Sequence, residues 1–355
     1  MKATKGIQIG ELCVQWASCI TALDLEKAEE LRTTVFEKLP DIEEDDKIIA
    51  YVQLLDFKHN IVNERIANDQ EPILPQTESD YLLDFNKYYY LGRYEFYYGR
   101  YKSAISLFNK AEQELQNVNN EMEKAEFYHF CGLSYYKIDQ YTIATRYLEM
   151  AVNIFEKDEN HLERLINCYI ALGGIAVELD INGDGESYYK RALSESKIFP
   201  ETHALAYRAL GLLSMRKNEL QKAQNYFVSA LAIKEHRESV FGIKTKTNLA
   251  SVLYRISDKE AYNMYHTALQ EAKRFGQVEY LARLKIIFSI YEEFSEKELD
   301  NQLDKLVKLN CSASLVAEEI SMIFKERNEF ELALKYMTFA FKTRINSQIL
   351  GGNQE

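Results

Sequence analysis

Four consecutive carboxylates, at Glu43, Glu44, Asp45 and Asp46, stand directly before the apolar segment KIIAYVQLL. Acidic side chains are favoured in a first helical turn, where they face unpaired N–H groups and the positive end of the helix dipole. The run therefore predicts the start of a helix. A carboxylate can also accept a hydrogen bond from a water molecule, so Asp46 is the first candidate for chemistry.

Other patterns that carry chemistry are missing from the sequence. It contains no glycine loop that could cradle a phosphate, no G-x-S-x-G motif and no H-E-x-x-H motif. The five cysteines and six histidines are scattered, which predicts neither a zinc site nor a redox pair. The acidic segment DINGDGESYY at 180–189 has Arg191 at the twelfth position of a calcium loop and instead predicts a turn. We expect no metal and no cofactor in this chain.

Composition excludes several classes of function. Of the 355 residues, 46% are hydrophobic, so a large core can form. A net charge of -12 argues against direct binding of nucleic acid, because a phosphate backbone requires a basic face. No apolar run is long enough to cross a membrane, and the N-terminus lacks the apolar stretch of a signal peptide. These features predict a cytoplasmic protein without a membrane partner.

The elements that must position any site are helices. Apolar residues recur at three- and four-residue spacing along nearly the whole chain, which is typical of an all-α protein. The proline-containing segment 67–80 predicts a linker. Before it, helices are predicted at 7–22, 25–39 and 43–66, with Asp24 as the N-cap of the second. Together they predict a three-helix bundle over 1–66.

A repeat follows the linker. Pairs of alanines seven positions apart bracket a large residue, and a glycine often stands twelve positions before the first alanine. The clearest cases are Ala104–Phe108–Ala111, Ala144–Leu148–Ala151, Ala223–Phe227–Ala230, Ala261–Tyr265–Ala268 and Ala333–Met337–Ala340, with Gly185–Tyr189–Ala192 in the same slots. This pattern predicts a right-handed tetratricopeptide solenoid over 81–345, with about seven helix hairpins, and a C-terminal tail at 346–355. One hairpin, between about 275 and 310, is expected from spacing alone.

Several segments together resemble the Rap family of bacterial regulators, the response-regulator aspartate phosphatases. IGELCVQW, which ends at Trp16, is similar to the family's opening helix, and IEEDDKIIAYVQLLDFKHNI at 42–61 resembles its MEEDQDLLLYYSLMEFRH pattern. GRYEFYYGRYKSAI, EKAEF at 123–127 and ELQKAQNYF at 219–227 resemble parts of the family's repeats. The likeness covers nearly the whole chain, although the C-terminal seventy residues match only as repeats.

This resemblance implies that the N-terminal bundle binds a bacterial response regulator, a receiver protein phosphorylated on an aspartate next to a divalent metal. The implied contact residues are Glu43, Glu44, Asp45, Asp46, Gln53 and Phe57. Some family members use a glutamine to orient the water that hydrolyses the aspartyl-phosphate, and Asp46 stands at that position here. A carboxylate there repels the phosphoryl group by roughly 1–4 kcal/mol at about 4 Å. Gln53 does not replace the glutamine, because it lies about two helical turns further on. Phosphatase activity stays open, and sequestration is expected.

The family's repeats bind a short secreted and re-imported peptide of the Phr type, which compacts the protein and releases its target. The residues expected to face such a peptide are Glu126, His129, Asn167, Arg208, Lys244, Asn248 and Tyr254. Asparagine suits this role because its amide pairs with both N–H and C=O groups of an extended peptide. The family often has an asparagine in the fourth repeat where this chain has Ala209, and Asn248 occupies the comparable slot one repeat later.

Two other functions remain open at this stage. A generic tetratricopeptide adaptor would bind neither a response regulator nor a signalling peptide. A peptide-sensing transcription regulator is a further alternative, although the acidic N-terminal bundle is a poor DNA-binding head. A homodimer also stays open.

Overall fold

The computed structural model describes residues 2–21, 24–41, 46–62, 81–179, 184–309 and 313–350. Within these ranges every regular element is a helix. None of the described helices is both long and apolar enough to cross a lipid bilayer. The chain divides into two compact units, Met1–Ala171 and Leu172–Glu355.

The N-terminal bundle consists of α1 (Lys2–Thr21), α2 (Leu25–Lys38) and α3 (Asp46–Val62). Its core is built from one apolar stripe of each helix, including Trp16, Val35 and Leu55. Asp24 is confirmed as the N-cap of α2, because its carboxylate accepts a hydrogen bond from the Lys27 N–H at 3.4 Å. Helix α1 begins five residues earlier than predicted. The predicted helix ends at 43–45 and 63–66, and the predicted linker at 67–80, lie outside the described residues.

Paired helices follow the bundle, and each pair forms an antiparallel hairpin. They are α4 (Tyr81–Tyr97), α5 (Tyr101–Gln113), α6 (Glu121–Lys137), α7 (Tyr141–Phe155), α8 (Leu162–Glu178), α9 (Asp184–Glu195), α10 (Pro200–Arg216), α11 (Leu220–Ala232), the one-turn α12 (Lys234–Arg237), α13 (Val240–Arg255), α14 (Ala261–Arg274), α15 (Val278–Tyr291), α16 (Glu296–Lys308), α17 (Ala313–Glu326) and α18 (Phe330–Leu350). Because α18 runs to Leu350, it includes the first five residues of the predicted tail.

Glycine and a large residue sixteen positions later hold each early hairpin together. A Cβ atom added at Gly92 would lie 2.4 Å from Cε1 of Phe108, and one added at Gly211 would lie 2.5 Å from Cε1 of Phe227. Such distances leave no space for a side chain. The glycines therefore let the second helix press its large residue onto the backbone of the first, which explains the spacing in the sequence.

The hairpin expected only from spacing consists of α15 and α16. Here Leu299, Leu303 and Leu306 take the places of the small–large–small residues and are fully buried. Ser295 caps α16 by accepting a hydrogen bond from the Glu298 N–H at 3.3 Å. Leucine burial thus replaces the alanine pattern, which is why the repeat is hard to recognise in the sequence.

Candidate functional site

A buried polar chain joins the three helices of the N-terminal bundle. Trp16 Nε1 on α1 donates to His59 Nδ1 on α3 at 2.9 Å, and His59 Nε2 lies 3.0 Å from Glu29 Oε2 on α2. Because an indole N–H can only donate, Nδ1 is the acceptor and Nε2 carries the proton towards Glu29. Burial lowers the pKa of His59, against the opposing effect of Glu29. The imidazole is therefore neutral at pH 7, and sequence analysis missed this chain.

The third helix also packs on the first repeats within the N-terminal unit. The Phe57 ring lies 6.3 Å from the Tyr94 ring on α4. Lys58 is 4% exposed and its Nζ lies 2.9 Å from Glu123 Oε1 on α6. These contacts place the bundle and the first hairpins in one compact unit, Met1–Ala171.

The residues predicted to contact a response regulator are only partly described. Glu43, Glu44 and Asp45 lie outside the described residues. Asp46 is the first residue of α3, and its side chain is not among those described. Gln53 is exposed on α3, whereas Phe57 is half-buried against Tyr94. The contact face as a whole stays a prediction.

Two of the predicted peptide-binding residues belong to a buried ionic cluster. Glu126 on α6 lies 3.8 Å from Arg93 Nη1 on α4 and 3.6 Å from Arg164 Nε on α8. Burial raises the pKa of Glu126, but Arg164 and Arg93 outweigh this and hold it below its usual range. Burial, with Arg164, lowers the pKa of the neighbouring His129 to about 3, so its ring is neutral. The cluster ties three helices together from within.

Asn167 and Arg208 are both half-buried, on α8 and α10 respectively. Arg208 acts electrostatically on His236, whose pKa is lowered to about 4 mainly by burial and then by Arg208 and Lys246. His236 Nε2 lies 2.8 Å from Thr245 Oγ1. Peptide contact by Asn167 and Arg208 stays a prediction.

A pocket opens between α13, α15 and α17, the first helices of three hairpins in the C-terminal unit. Its lining combines aliphatic with polar side chains, as the lining of a ligand pocket commonly does. The lining residues are Thr247, Asn248, Ser251, Arg283, Ile286, Ile287, Ile290, Tyr291, Val316, Glu319, Ile320 and Ile323. Within the described ranges, no three His, Cys, Asp or Glu side chains are grouped so that they could hold a metal ion.

Asn248 is the predicted residue that lines this pocket. It is 7% exposed, and its Nδ2 finds no hydrogen-bond acceptor among the described residues. Across the pocket, Ser251 Oγ donates to Glu319 Oε1 at 2.6 Å, and the buried Tyr291 hydroxyl also lacks a partner in the described part of the chain. Buried donors without partners are few in folded proteins, and a ligand or a water molecule can satisfy such groups.

Two other predicted residues, Tyr254 and Lys244, do not line the pocket. The Tyr254 ring stacks on Tyr291 at 4.8 Å, and its hydroxyl donates to Glu292. Lys244 Nζ lies 5.3 Å from the ring centres of both Phe241 and Tyr280. Sequence analysis placed all of its peptide contacts on α6, α8, α10 and α13, so it missed the lining residues on α15 and α17.

Comparison with known proteins connects these features. Residues 4–64 match the family model described as response regulator aspartate phosphatase H, N terminal. The regulatory protein RapG of Bacillus subtilis (strain 168) is 27% identical over 303 residues, which cover 82% of this chain and 81% of RapG. The chain belongs to the Rap family. This Rap protein is also 36% identical over 361 residues to a Rhodococcus hoagii protein named Type II methyltransferase M.CeqI, which covers 98% of this chain and 70% of that protein.

The methyltransferase name describes the Rhodococcus protein, and the described residues of this Rap protein hold no β-strand. Among solved structures, the Rap conjugation gene regulator of the plasmid pLS20, in complex with the Phr* peptide, has a TM-score of 0.73 and 27% identity, with 97% of each chain covered. The predicted all-α fold of bundle and tetratricopeptide-like hairpins is confirmed, and a generic adaptor is not favoured.

Proposed function

We propose that this Rap protein binds a bacterial response regulator through its N-terminal bundle and acts on it mainly by sequestration. A short signalling peptide of the Phr type binds the repeat groove and releases the regulator. Support comes from the matched segment 4–64 and from the peptide complex of the pLS20 relative. Because the two ligands bind one protein, any loss of regulator affinity caused by the peptide equals the loss of peptide affinity caused by the regulator.

The observation that carries the peptide proposal is the unpartnered amide of Asn248. Its Nδ2 can donate to a peptide carbonyl while the amide oxygen accepts from a peptide N–H. Ile286, Ile290 and Ile320 line the same pocket and offer apolar surface to a side chain of the same peptide. A bound backbone would thus satisfy a buried donor and cover aliphatic surface at the same time.

Calorimetry with synthetic pentapeptides on wild type and Asn248→Ala tests this proposal. We expect the substitution to weaken binding by about tenfold, which corresponds to about 1.4 kcal/mol and one lost hydrogen bond. Asn263→Ala is the matched control, because Asn263 is an exposed asparagine on α14, the other helix of the same hairpin. Equal affinities in all three proteins would remove Asn248 from the site, and the absence of any binding pentapeptide would contradict peptide regulation.

Sequestration rather than hydrolysis follows from the carboxylate at Asp46. Its negative charge opposes the growing charge on the phosphoryl oxygens, where a glutamine amide would donate a hydrogen bond. We expect wild type to bind a cognate receiver domain but to hydrolyse its aspartyl-phosphate weakly, and Asp46→Gln to hydrolyse it faster. The assay is phosphate release from each phosphorylated receiver domain of the source organism. Brisk hydrolysis by wild type that Asp46→Asn leaves unchanged would contradict the charge argument.

A further inference from the structure

The two edges of the C-terminal unit differ in the charges beside their exposed apolar residues. One edge holds the connections from each second helix to the next first helix, and the other holds the turns within the hairpins. At the first edge three exposed apolar residues directly follow a cation, at Lys197–Ile198, Arg274–Phe275 and Lys308–Leu309. At the other edge three directly follow a carboxylate, at Glu178–Leu179, Glu293–Phe294 and Glu329–Phe330. We call the first the basic edge and the second the acidic edge.

The helix dipole explains the cations of the basic edge but not their neighbours. Basic side chains are favoured near the carboxyl end of a helix. The apolar neighbours gain nothing from the dipole, yet the exposed fraction is 74% at Ile198, 44% at Phe275 and 40% at Leu309. The connection between α11 and α13 carries Phe241, which is 45% exposed and whose ring centre lies 5.3 Å from Lys244 Nζ. Each of these four connections therefore presents apolar surface next to a positive charge.

The connection between α14 and α15 shows how open this edge is to solvent. Lys273, Arg274, Phe275 and Gly276 are four consecutive exposed residues. Gly276 has a φ of +62°, and a Cβ atom added there would meet no residue other than its chain neighbours within 4 Å. The central guanidinium carbon of Arg274 lies 5.4 Å from the centre of the Phe275 ring. A cation and an aromatic ring thus stand side by side in open solvent.

Positive charge is in excess at this connection. Glu271 accepts a hydrogen bond from Lys246 Nζ at 2.6 Å, and Glu279 Oε1 lies 3.1 Å from Arg283 Nη2. No other acidic residue lies between these two glutamates in the sequence, so each carboxylate already has a cation. The two exposed cations between them form no ion pair with any described residue. The connection therefore attracts anions.

We propose that the basic edge is a contact surface for an anionic lipid bilayer. Its cations pair with lipid phosphate groups, while Ile198, Phe275 and Leu309 enter the layer between head groups and acyl chains. Successive connections form a row along the edge, which matches the plane of a membrane surface. Two of the three side chains are aliphatic and cannot stack on a base, so a bilayer suits the edge better than single-stranded nucleic acid. Such a peripheral contact needs no helix that spans the bilayer.

The net charge of -12 limits this contact without preventing it. The first helices that separate the two edges, α10, α13, α15 and α17, have 14–17 residues, or about 21–26 Å at a rise of about 1.5 Å per residue. Charges at the acidic edge are therefore farther from the bilayer than the Debye length, which is about 8 Å at physiological ionic strength. A few cations at contact give a modest attraction, so we expect reversible binding that requires anionic lipid and weakens as salt rises.

Sedimentation of the full chain with lipid vesicles tests the proposal. Wild type should bind vesicles of phosphatidylcholine that contain about one third phosphatidylglycerol, and should not bind vesicles of pure phosphatidylcholine. The triple variant Lys197→Glu/Arg274→Glu/Lys308→Glu should bind the anionic vesicles at least about tenfold more weakly, because each change replaces an attraction with a repulsion. The assay needs neither a response regulator nor a peptide.

A matched control makes the same change in net charge at the acidic edge. Lys259, Lys297 and Lys325 are exposed there, in or beside the turns within hairpins. Lys259→Glu/Lys297→Glu/Lys325→Glu should bind the anionic vesicles like wild type, because the added charges lie beyond the Debye length from the bilayer. Thermal unfolding should be similar in both triple variants, since all six side chains are exposed.

A second pair of variants tests the apolar contribution. Ile198→Ser/Phe275→Ser should weaken vesicle binding several-fold at high and at low salt, because apolar contact is not screened by ions. Leu179→Ser/Phe294→Ser is the control at the acidic edge, where these side chains are 47% and 57% exposed, and it should bind like wild type.

Several results would overturn the proposal. Wild type that fails to bind anionic vesicles, or that binds neutral vesicles equally well, would exclude recognition of anionic lipid. A triple variant of the basic edge that binds like wild type would exclude this edge. Stronger binding of wild type to a single-stranded oligonucleotide or to poly-glutamate than to the vesicles would assign the edge to another class of partner.

Discussion

The first helices of the hairpins carry polar residues in both units of this Rap protein, but these residues have different surroundings. In the N-terminal unit, Glu126 lies between Arg93 and Arg164, so its charge is compensated by the protein itself. In the C-terminal unit, Asn248 lines an open pocket and its Nδ2 has no acceptor among the described residues. A polar residue on such a helix can therefore hold the array together or face a ligand, and only its neighbours distinguish the two roles.

The size of the neighbouring side chains explains the difference. Around the N-terminal cluster, aromatic rings fill the space, and the guanidinium of Arg93 lies 4.3 Å above the ring of Phe130. Around Asn248, the neighbours on α15 and α17 are mainly isoleucines such as Ile286 and Ile320, which leave a pocket. Rings and ion pairs close the first site, while branched aliphatic residues leave the second open.

Removal of the central charge of the cluster should have the largest effect. Glu126→Gln leaves Arg93, which is 1% exposed, without its buried counter-charge. We expect the free energy of unfolding to fall by about 3 kcal/mol, as when one partner of a buried ion pair is removed. Urea unfolding measures this loss. Glu121→Gln on the same helix is the control, because Glu121 is 62% exposed and its pair with Lys124 should contribute under about 1 kcal/mol.

The same variant makes a prediction about pH. The pKa of Glu126 is lower in the folded protein than in the unfolded chain, so its contribution is present above the unfolded value of about 4.3 and is lost as pH falls through the folded value. The gap in stability between wild type and Glu126→Gln should therefore narrow in acid. A gap that stays constant below pH 4 would show that Glu126 acts through packing rather than charge.

An intermediate effect is expected from the polar chain of the bundle. His59→Phe leaves the buried Trp16 Nε1 without an acceptor and removes a partner of Glu29, which should cost about 2 kcal/mol of unfolding free energy. Trp16→Phe removes only the hydrogen bond between Trp16 and His59. The part of its loss in unfolding free energy that comes from hydrogen bonding should therefore be smaller. A loss under about 0.5 kcal/mol in His59→Phe would contradict a structural role for the chain.

The histidine also predicts a second pH effect. Its pKa is lowered in the folded protein, so its contribution is present above the unfolded value of about 6.5 and is lost as pH falls below it. Wild type should therefore lose more stability than His59→Phe between about pH 7.5 and pH 5.5, an interval around the ordinary histidine pKa. Equal losses in the two proteins would show that other groups titrate there.

Local pattern predicted the helices well and their functional surfaces only in part. The alanine spacing reflects contacts within one hairpin, and the N-cap at Asp24 reflects a contact within one helical turn. Both features can therefore be recognised from short spacings in the sequence. The pairing of Ser251 with Glu319, by contrast, joins residues 68 positions apart across the pocket. The burial of Glu126 depends on side chains from two other helices. The spacing of residues along the sequence carries no information about such contacts. Sequence analysis therefore predicted the same role, peptide contact, for Glu126 and Asn248.

The smallest effect on stability is expected at Asn248. The same position tests the contrast between Glu126 and Asn248 most directly. Asn248→Leu replaces a buried donor that lacks a partner with an apolar group of similar size, so the unfolding free energy should change by less than about 0.5 kcal/mol or rise. Peptide binding should nevertheless fall by at least tenfold, because leucine cannot pair with a backbone. Urea unfolding and calorimetry on the same protein measure both effects. A loss of stability comparable to that of Glu126→Gln would mean that Asn248 is a structural residue like those of the N-terminal cluster.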